Sequence, residues 1–341
     1  MSEREGAWPA RLVASLVRLG QRLDQGVPPQ VESAALAANP WFTPYYLREA
    51  LAGVRSWLYE AKLLAFLAGY GPRVGPPRRV GIIAAGNLPL VGWHDVLITL
   101  LAGHRAYVKY ATRDRVMMAW LAQCWQEIEP RVADFLHPVG VLPAVDFVLA
   151  TGSNNSARYF RAAFPRTPKL IRQHRYAVAV LDQDLDDESL LALNRDILLY
   201  NGLGCRSVSS LLLMPGFDVQ RLQESLGAYI ADRINPLYLE RVLYVDQLYR
   251  VLGQSVYRTP HALLQSADEP QDLGMGLLSL VHIDPAQREL SAWQTAYQDR
   301  WQCVVGKEVA FGQSQRPKLA DFADGVDTLQ LLRDQVEPTP C

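Results

Sequence analysis

A cysteine, Cys205, stands in a short polar segment with two glycines just before it, Gly202 and Gly204. Glycines let the backbone approach another group closely, and polar flanks are not typical of a buried core cysteine. A thiol in such a segment could act as a nucleophile once it is ionised. The alternative is a small buried apolar side chain. That interpretation fits Cys124, inside a helical pattern, and Cys303, beside two valines.

An asparagine, Asn87, follows Gly86 and precedes Pro89 at the end of an apolar run. Its side-chain amide could donate to an oxygen that becomes negatively charged during acyl transfer. The same pattern of Gly, Asn and Pro is also typical of a plain turn. The sequence is consistent with both interpretations.

A lysine, Lys109, ends a second apolar run and is followed by Thr112, Arg113 and Asp114. Such a lysine either extends into solvent or holds the ribose or phosphate of a nucleotide. A hydroxyl and a guanidinium suit a ribose 2′-phosphate better than a bare 2′-hydroxyl, which an acidic side chain usually binds. This turn therefore favours a 2′-phosphorylated nucleotide.

A third polar turn contains Gly152 and Ser153, followed by two asparagines. These residue types are common helix N-caps. The free N–H groups of a helix start could also bind a pyrophosphate. The sequence contains neither the G-x-G-x-x-G pattern nor the Walker A pattern, which argues against a standard Rossmann fingerprint and a P-loop.

The elements around these turns alternate between strands and helices. Apolar runs predict strands over 80–85, 106–110, 145–150, 177–181 and 208–214, and helical spacing predicts helices over 91–102, 116–126, 153–164 and 187–199. This alternation predicts an α/β fold with a parallel sheet. Ligands of such sheets bind beyond the carboxyl ends of the strands, where Asn87, Lys109 and Gly152 are expected.

The first 70 residues show helical patterns instead, over 12–23 and from Thr43 to about residue 69, followed by a Gly/Pro-rich linker over 71–77. With 341 residues, the chain is expected to form about two domains. Its net charge of −1 gives no general electrostatic reason to bind nucleic acid. No apolar run is long enough for a membrane span. Four scattered cysteines, including Cys341, predict reduced thiols in a cytoplasmic protein without a metal site.

Taken in order, these segments resemble the aldehyde dehydrogenase superfamily and, within it, the LuxC-type fatty acyl-CoA reductases. The matching segments are 81–90 (GIIAAGNLPL), 106–109 (AYVK), 151–160 (TGSNNSARYF), 201–209 (NGLGCRSVS) and 322–329 (FADGVDTL). They cover the chain from about residue 78 to about 330. The helices before them carry little of the resemblance.

The resemblance implies a role for each matching residue. Cys205 would be the nucleophile, and Asn87 with the Cys205 N–H would form the oxyanion hole. Lys109 would hold the adenosine ribose, while Gly152 and Ser153 would lie beside the pyrophosphate. The resemblance implies a nicotinamide cofactor, and the residue types of the 112–114 turn add the expectation that it is NADPH rather than NADH, held also by Thr112 and Arg113.

The chain departs from aldehyde-oxidising members at several positions. Those members carry a glutamate that activates water, but the comparable stretch here, 170–174, has no carboxylate. A helix glycine is replaced by Ala157. The acid that holds the nicotinamide ribose is not placed; Glu269 and Asp272 are candidates, or simply loop acids. Without a base for water, the expected reaction is reduction of an acyl thioester through an S-acyl cysteine, which needs no hydrolysis.

The roles of two histidines and of one basic stretch are left open by the sequence. His94 could assist proton transfer or be structural, and His174 has no assigned role. The basic residues of 169–175 could attract the phosphates of coenzyme A or could simply be solvated.

The expected organisation is an aldehyde dehydrogenase-like α/β fold in three parts. A helical N-terminal segment (1–75) would pack on an NADP(H)-binding domain (76–169), and a catalytic thiol domain (170–341) would include a C-terminal return segment. The expected partners are acyl-CoA or another acyl thioester, further copies of the chain, and an enzyme that donates the acyl group. The alternatives are a catalytically silent nucleotide-binding or scaffold relative and an aldehyde-oxidising dehydrogenase.

Overall fold

The computed structural model describes residues 8–71, 75–230, 233–284 and 289–334. Most of the predicted linker is included, but residues 72–74 and Cys341 lie outside the described residues. The described chain forms two compact units. Unit 1 contains the residues up to Gln173 and those from Lys318 onward, and unit 2 runs from His174 to Pro317.

Strands and helices alternate through most of the chain. The strands are β1 (Arg79–Ile83), β2 (Arg105–Lys109), β3 (Leu136–Pro138), β4 (Phe147–Thr151), β5 (Lys169–Arg172), β6 (Tyr176–Leu181), β7 (Val208–Leu213), β8 (Tyr257–Arg258), β9 (Leu263–Ser266), β10 (Leu277–His282) and β11 (Trp301–Val305). The helices are α1 (Trp8–Leu23), α2 (Pro29–Ala38), α3 (Pro44–Trp57), α4 (Glu60–Ala68), α5 (Trp93–Leu101), α6 (Arg115–Ile128), α7 (Asn154–Ala163), α8 (Asp187–Leu198), α9 (Val219–Gly227), α10 (Pro236–Val251), α11 (Leu290–Tyr297) and α12 (Thr328–Asp334).

Unit 1 is built on a five-stranded parallel sheet in the order β3-β2-β1-β4-β5. One buried core joins this sheet to the N-terminal helices and to the last described segment, and includes Leu16, Leu47, Ile82, Trp93 and Leu329. The apolar stripes of α1 and α3 are therefore covered by the sheet unit itself.

The last described segment returns to unit 1 and is fastened there by side chains. His94 forms a hydrogen bond with the Leu319 carbonyl at 2.9 Å. His104 accepts from the Arg78 N–H through Nδ1, so its Nε2 donates to the Leu332 carbonyl at 2.9 Å. Residues 170–172, expected in the second domain from the sequence, form part of strand β5 in unit 1, and the return segment from Lys318 also packs in unit 1.

Unit 2 contains a six-stranded sheet in the order β11-β6-β7-β10-β9-β8. Five strands are parallel, and only the short edge strand β8 runs antiparallel to its neighbour β9. Its core includes Val178, Leu212, Trp293 and Trp301. The prediction of a parallel sheet with crossover helices is confirmed.

Two predicted N-terminal helices differ in detail. The helix expected from Thr43 to about residue 69 is broken at Leu58 and Tyr59, where α3 ends and α4 begins. The break buries Leu58 completely, against Gly20 of α1, where an added Cβ would lie 3.0 Å from the Leu58 Cβ. Helix α2 was not predicted. No described helix is both long and apolar enough to cross a bilayer.

Candidate active-site residues in the two units

The candidate nucleotide-binding residues of unit 1 lie at one edge of its sheet. Strands β1, β2 and β4 are parallel neighbours, and Ile83 pairs with Lys109 on one side and Ala150 on the other. The turns that follow these strands carry Asn87, the 112–114 turn and the Gly152 turn. They therefore emerge together at the carboxyl edge of the sheet.

Four of these side chains are exposed: Asn87, Lys109, Thr112 and Arg113. The turns after β1 and β2 pack tightly on each other, because a Cβ added to Gly86 would lie 2.5 Å from the Ala111 Cβ. Glycine is therefore required beside Asn87. The close packing places the asparagine loop next to the Thr112–Arg113 turn.

A buried carboxylate, Asp114, supports the asparagine loop from below. Its side chain is only 1% exposed, and its Oδ2 accepts from the Leu90 N–H at 2.8 Å. Leu90 has a φ of +57°, a left-handed conformation that is costly for a leucine. Asp114 Oδ1 has no hydrogen-bond partner among the described residues. Burial raises the pKa of Asp114 well above its ordinary range, and the Leu90 hydrogen bond offsets part of that rise.

Gly152 and Ser153 have clear structural functions at the start of α7. Ser153 is the N-cap, and its Oγ accepts from the Ser156 N–H at 3.3 Å. A Cβ on Gly152 would lie 2.7 Å from the Ser156 Cβ, so glycine allows strand β4 to meet this helix closely. The capping interpretation accounts for both residues, and residues 153–155 at the helix start are exposed.

The candidate nucleophile, Cys205, belongs to unit 2 and is partly buried. It lies in the loop before β7, not after a strand as the residues of unit 1 do. The loop begins with three residues in the left-handed region: Tyr200 (φ +58°), Asn201 (φ +60°) and Gly202 (φ +69°). Sequence analysis identified the glycine, but not the two non-glycine residues that share its conformation.

Cys303 was interpreted as a buried structural cysteine, and it is only 5% exposed in β11. Burial raises the pKa of its thiol to about 12. The charge of Arg206 opposes that rise and Cys205 adds to it, so both central residues of the 205–206 turn act electrostatically on Cys303. Cys124 is also buried, within α6. Neither thiol is suited to act as a nucleophile at neutral pH.

His174 and Asp272, which the sequence left open, form an ion pair in unit 2. The His174 Nε2 lies 2.6 Å from the Asp272 Oδ2. This hydrogen bond raises the pKa of His174. Burial alone would raise the pKa of Asp272, but hydrogen bonds from His174, the Gly274 N–H and Ser209 lower it overall. His174 precedes β6 and Cys205 precedes β7, so both lie at the amino edge of two adjacent parallel strands.

The other carboxylate candidate, Glu269, is exposed and accepts from the Tyr297 hydroxyl at 2.8 Å. Burial raises the pKa of Tyr297 to about 12, and the Glu269 hydrogen bond adds to that rise. Tyr297 stacks on Trp293 and Trp301. Glu269 is thus tied to an aromatic stack of unit 2.

The basic stretch 169–175 is occupied by internal contacts. Lys169 donates to the carbonyls of Phe164 and Thr167. Arg172 is buried against Asp95, and Arg175 donates to the carbonyls of Gln298 and Trp301. These three side chains form hydrogen bonds within their own units and are therefore not simply solvated.

His94 also has a structural environment. Besides its hydrogen bond to the Leu319 carbonyl, its ring packs edge-on against Trp57 and Phe322. Among the described residues, no group of three or more His, Cys, Asp or Glu side chains could hold a metal ion. A cleft of about 470 Å³ in unit 2 is lined by the start of α8 and the turn after β11, and residues 200–207 are not part of its lining.

Several solved structures with a similar fold are aldehyde dehydrogenases. A salicylaldehyde dehydrogenase from Pseudomonas putida G7 superposes with a TM-score of 0.64 and 15% identity, over 89% of this chain and 79% of that one. An NAD-dependent benzaldehyde dehydrogenase from Corynebacterium glutamicum superposes with a TM-score of 0.63 and 15% identity, over 87% of this chain and 76% of that one. An indole-3-acetaldehyde dehydrogenase mutant from P. syringae, in complex with NAD+, superposes with a TM-score of 0.64 and 16% identity, over 85% of this chain and 71% of that one.

No protein-family model matches the sequence, and no curated protein matches it at the sequence level. The similarity therefore lies in the three-dimensional structure, and at these identities it establishes the fold. The α/β fold predicted from the sequence, with a parallel-sheet unit and a second α/β unit that carries the thiol, is the fold of the aldehyde dehydrogenases.

Proposed function

We propose that this protein is an oxidoreductase of the aldehyde dehydrogenase superfamily that reduces fatty acyl-CoA, or another acyl thioester, to an aldehyde with NADPH. The observation that carries the proposal is the Cys205 turn: a partly buried thiol in a strained, glycine-containing loop of this fold. The order of motifs that resembles the LuxC-type reductases supports the choice of substrate.

In this proposal the thiolate of Cys205 attacks the thioester carbonyl. The Asn87 amide and the Cys205 N–H stabilise the oxyanion, where one such donor is typically worth about 2.7–4 kcal/mol. The coenzyme A thiolate leaves and takes up a proton, and an S-acyl cysteine remains. After reduction, the hemithioacetal collapses to the aldehyde and regenerates the Cys205 thiolate.

The residues at the carboxyl edge of unit 1 fit a nicotinamide cofactor. Lys109 at the end of β2 is exposed, as are Thr112 and Arg113 on the turn that follows, which lies next to the loop of Asn87. The acid of that turn, Asp114, is buried against the Leu90 N–H and is unavailable to a ribose 2′-hydroxyl. This arrangement supports NADPH over NADH, and the bound cofactor would supply the hydride. Gly152 and Ser153 would lie beside its pyrophosphate.

The absence of a carboxylate from 170–174 supports reduction over oxidation. Within this stretch, Arg172 is occupied by its buried ion pair with Asp95. An acyl-enzyme without activated water would persist until it is reduced.

A second candidate function is aldehyde oxidation. It is favoured by the similar solved structures, which are aldehyde dehydrogenases, and by the ion pair of His174 and Asp272 at the same sheet edge as Cys205. An imidazole oriented by a carboxylate is a common general base, so it could activate water in place of the missing glutamate.

Intact-mass measurements distinguish these functions. The protein is mixed with medium-chain and long-chain acyl-CoA in the absence of NADPH. A reductase gains one acyl group on Cys205 and releases aldehyde when NADPH is added. Cys205→Ala should gain none, and Cys303→Ala, a matched control, should still be acylated. An adduct that hydrolyses steadily without cofactor would favour oxidation, and no adduct with any chain length would favour a catalytically silent protein.

Two further points belong to this proposal. The protein is expected to act as a cytoplasmic homo-oligomer, and another enzyme could deliver the acyl group as a thioester. Size-exclusion chromatography with light scattering tests the oligomer. Comparison of acyl-CoA with acyl-protein donors tests the source of the substrate.

A further inference from the structure

The turn that carries Cys205 is closed by Ser207 in two ways. The Ser207 N–H donates to the Gly204 carbonyl at 2.9 Å, which makes Cys205 and Arg206 the two central residues of a tight turn. The Ser207 Oγ also accepts from the Gly204 N–H at 3.1 Å. Ser207 is fully buried, so neither bond competes directly with bulk water.

A second segment of unit 2 holds Ser207 in place. Gln315 donates from its side-chain amide to the Ser207 Oγ at 3.0 Å. The hydroxyl oxygen therefore accepts from both Gln315 and Gly204. Because a hydroxyl oxygen has two acceptor sites, these donors define its position.

The loop that presents Gln315 is anchored to helix α8 by a buried carboxylate. Asp196 is fully buried and accepts three hydrogen bonds: from the Gly312 N–H at 2.6 Å, the Ser314 N–H at 2.9 Å and the Ser314 Oγ at 2.7 Å. Such a set of donors stabilises a carboxylate that would otherwise be costly to bury.

The loop also packs against the same face of α8 one helical turn earlier. Gly312 has a φ of +77°, and a Cβ there would lie 3.1 Å from the Ala192 Cβ. Ala192 and Asp196 are four residues apart and lie on one side of the helix. The loop is thus fixed both by close packing and by directional hydrogen bonds.

The Cys205 segment needs such support because it begins with strained backbone. Tyr200 and Asn201 are buried non-glycine residues in the left-handed region. Such a conformation is unfavourable for a non-glycine residue, and it persists only where its surroundings over-determine it. The line of contacts from Asp196 through Gln315 to Ser207 holds the other end of this segment.

We infer that Asp196 and Gln315 are positioning residues for Cys205, which hold its thiol in the reactive orientation through Ser207. This inference rests on the proposed role of Cys205 as the nucleophile. Asp196 binds the 312–315 loop, Gln315 connects that loop to Ser207 by a hydrogen bond, and Ser207 closes the turn that contains Cys205. Misplacement of a reacting group by about 1 Å can lower a rate by about a hundredfold.

The test is the alkylation of Cys205 by iodoacetamide, followed across pH by intact mass and peptide mapping. Gln315→Leu keeps the bulk of the side chain and removes the donor, and Ser207→Ala removes the acceptor. Both variants should change the alkylation rate of Cys205 or its pH midpoint, and should lower the rate of acylation by acyl-CoA about tenfold or more. The KM for acyl-CoA should stay near that of the unchanged protein.

The matched control is Gln313→Leu, which alters an exposed glutamine of the same loop. It should leave alkylation and acylation unchanged. Asp196→Asn tests the anchor, and if that variant does not fold, Ser314→Ala removes one of the donors to Asp196 with less disturbance. Thermal unfolding should show that Gln315→Leu and Ser207→Ala remain folded.

The inference is overturned if folded Gln315→Leu and Ser207→Ala alkylate at Cys205 with the rate and pH midpoint of the unchanged protein. Failure of the proposed function gives a different result, because the unchanged protein would then be alkylated at Cys205 but not acylated by any acyl-CoA. The alkylation data would still decide whether Asp196 and Gln315 position the thiol.

Discussion

Arg172 donates from Nη1 to both carboxylate oxygens of Asp95, each 2.6 Å away, and both side chains are almost fully buried. Its Nη2 donates to the Thr328 Oγ1 at 2.9 Å. One guanidinium thus joins strand β5, helix α5 and the start of helix α12. Three segments far apart in the sequence are held at one point inside unit 1.

Removing one member of this ion pair should destabilise the protein strongly. Asp95→Ala leaves an uncompensated buried guanidinium, which typically costs about 3–5 kcal/mol. The double variant Asp95→Leu with Arg172→Met should lose less of the free energy of unfolding, because neither side chain then leaves a buried charge. Urea unfolding measures both. The exposed pair of Arg221 and Asp187 supplies a control, since Asp187→Ala should cost about 1 kcal/mol or less. A loss of under about 1 kcal/mol in Asp95→Ala would contradict the structural role of the pair.

Asn87→Ala should lower the rate of acylation without lowering stability. The side chain is exposed on its loop, so its removal leaves no buried gap. Loss of one oxyanion donor typically lowers kcat about a hundredfold to a thousandfold. Single-turnover acylation of Cys205 by acyl-CoA measures the effect, and thermal unfolding checks the fold. A variant that is acylated at the original rate would remove Asn87 from the proposed oxyanion hole.

Arg113→Ala should weaken NADPH binding selectively. Loss of a guanidinium that contacts the 2′-phosphate should raise the Kd for NADPH about tenfold to a hundredfold and leave the Kd for NADH unchanged. Fluorescence titration with both cofactors measures the difference. Arg115→Ala, which changes an exposed arginine two residues further on, is the control. Equal weakening of both cofactors would show that Arg113 does not distinguish them.

The buried Asp114 should make stability depend on pH. Because its pKa is raised in the folded protein, folding takes up a proton between the ordinary value of 3.8 and the folded value. Its contribution to stability is therefore complete below pH 3.8 and is lost as pH rises through the folded pKa. Within that window the slope is at most about 1.4 kcal/mol per pH unit.

Asp114→Asn keeps an acceptor for the Leu90 N–H and cannot titrate. The variant should lose this part of the pH dependence, measured by urea unfolding at a series of pH values. Identical slopes in the variant and the unchanged protein would mean that Asp114 titrates alike in the folded and unfolded chains.

The ion pair of His174 and Asp272 should be strongest in mildly acidic solution. Asp272 contributes above its ordinary pKa of 3.8, and its contribution is lost as pH falls through the lowered folded value. His174 contributes fully below its ordinary pKa of 6.5 and loses its effect as pH rises through the raised folded value. The side chain of His174 is 54% exposed, so the gain in stability is about 1 kcal/mol or less. NMR titration of His174 should show a lower pKa in Asp272→Asn; no change would mean that the pair does not persist in solution.

Much of the fold follows from residues whose local preferences agree with their final positions. Thr43 and Ser153 cap the helices that they were expected to start, with hydrogen bonds to the N–H groups of Tyr46 and Ser156. Apolar runs place β1, β2, β4, β6 and β7 within about two residues of the predicted limits. These signals are local, so one sequence is enough to find them.

Other features depend on contacts between distant segments. The short strands β3 and β5 contain few apolar residues and owe their conformation to pairing with β2 and β4. The burial of Asp114 and Asp196 has no local sequence signal, because their hydrogen-bond donors come from other loops: one backbone N–H for Asp114 and two for Asp196. Sequence analysis therefore located Cys205 and Asn87 as candidates but not the carboxylates that hold their loops.

The division of unit 1 into two stretches of chain constrains how the protein is made. Strand pairing in its sheet can begin as soon as β5 leaves the ribosome. His94, His104 and Arg172 meet their carbonyl and hydroxyl partners only after all 144 residues of unit 2, and the first residues of the return segment, have been translated. The buried core of unit 1 therefore stays incomplete while unit 2 is synthesised. A released chain that ends at residue 317 should therefore have a first unit that is more sensitive to protease than that of the full chain.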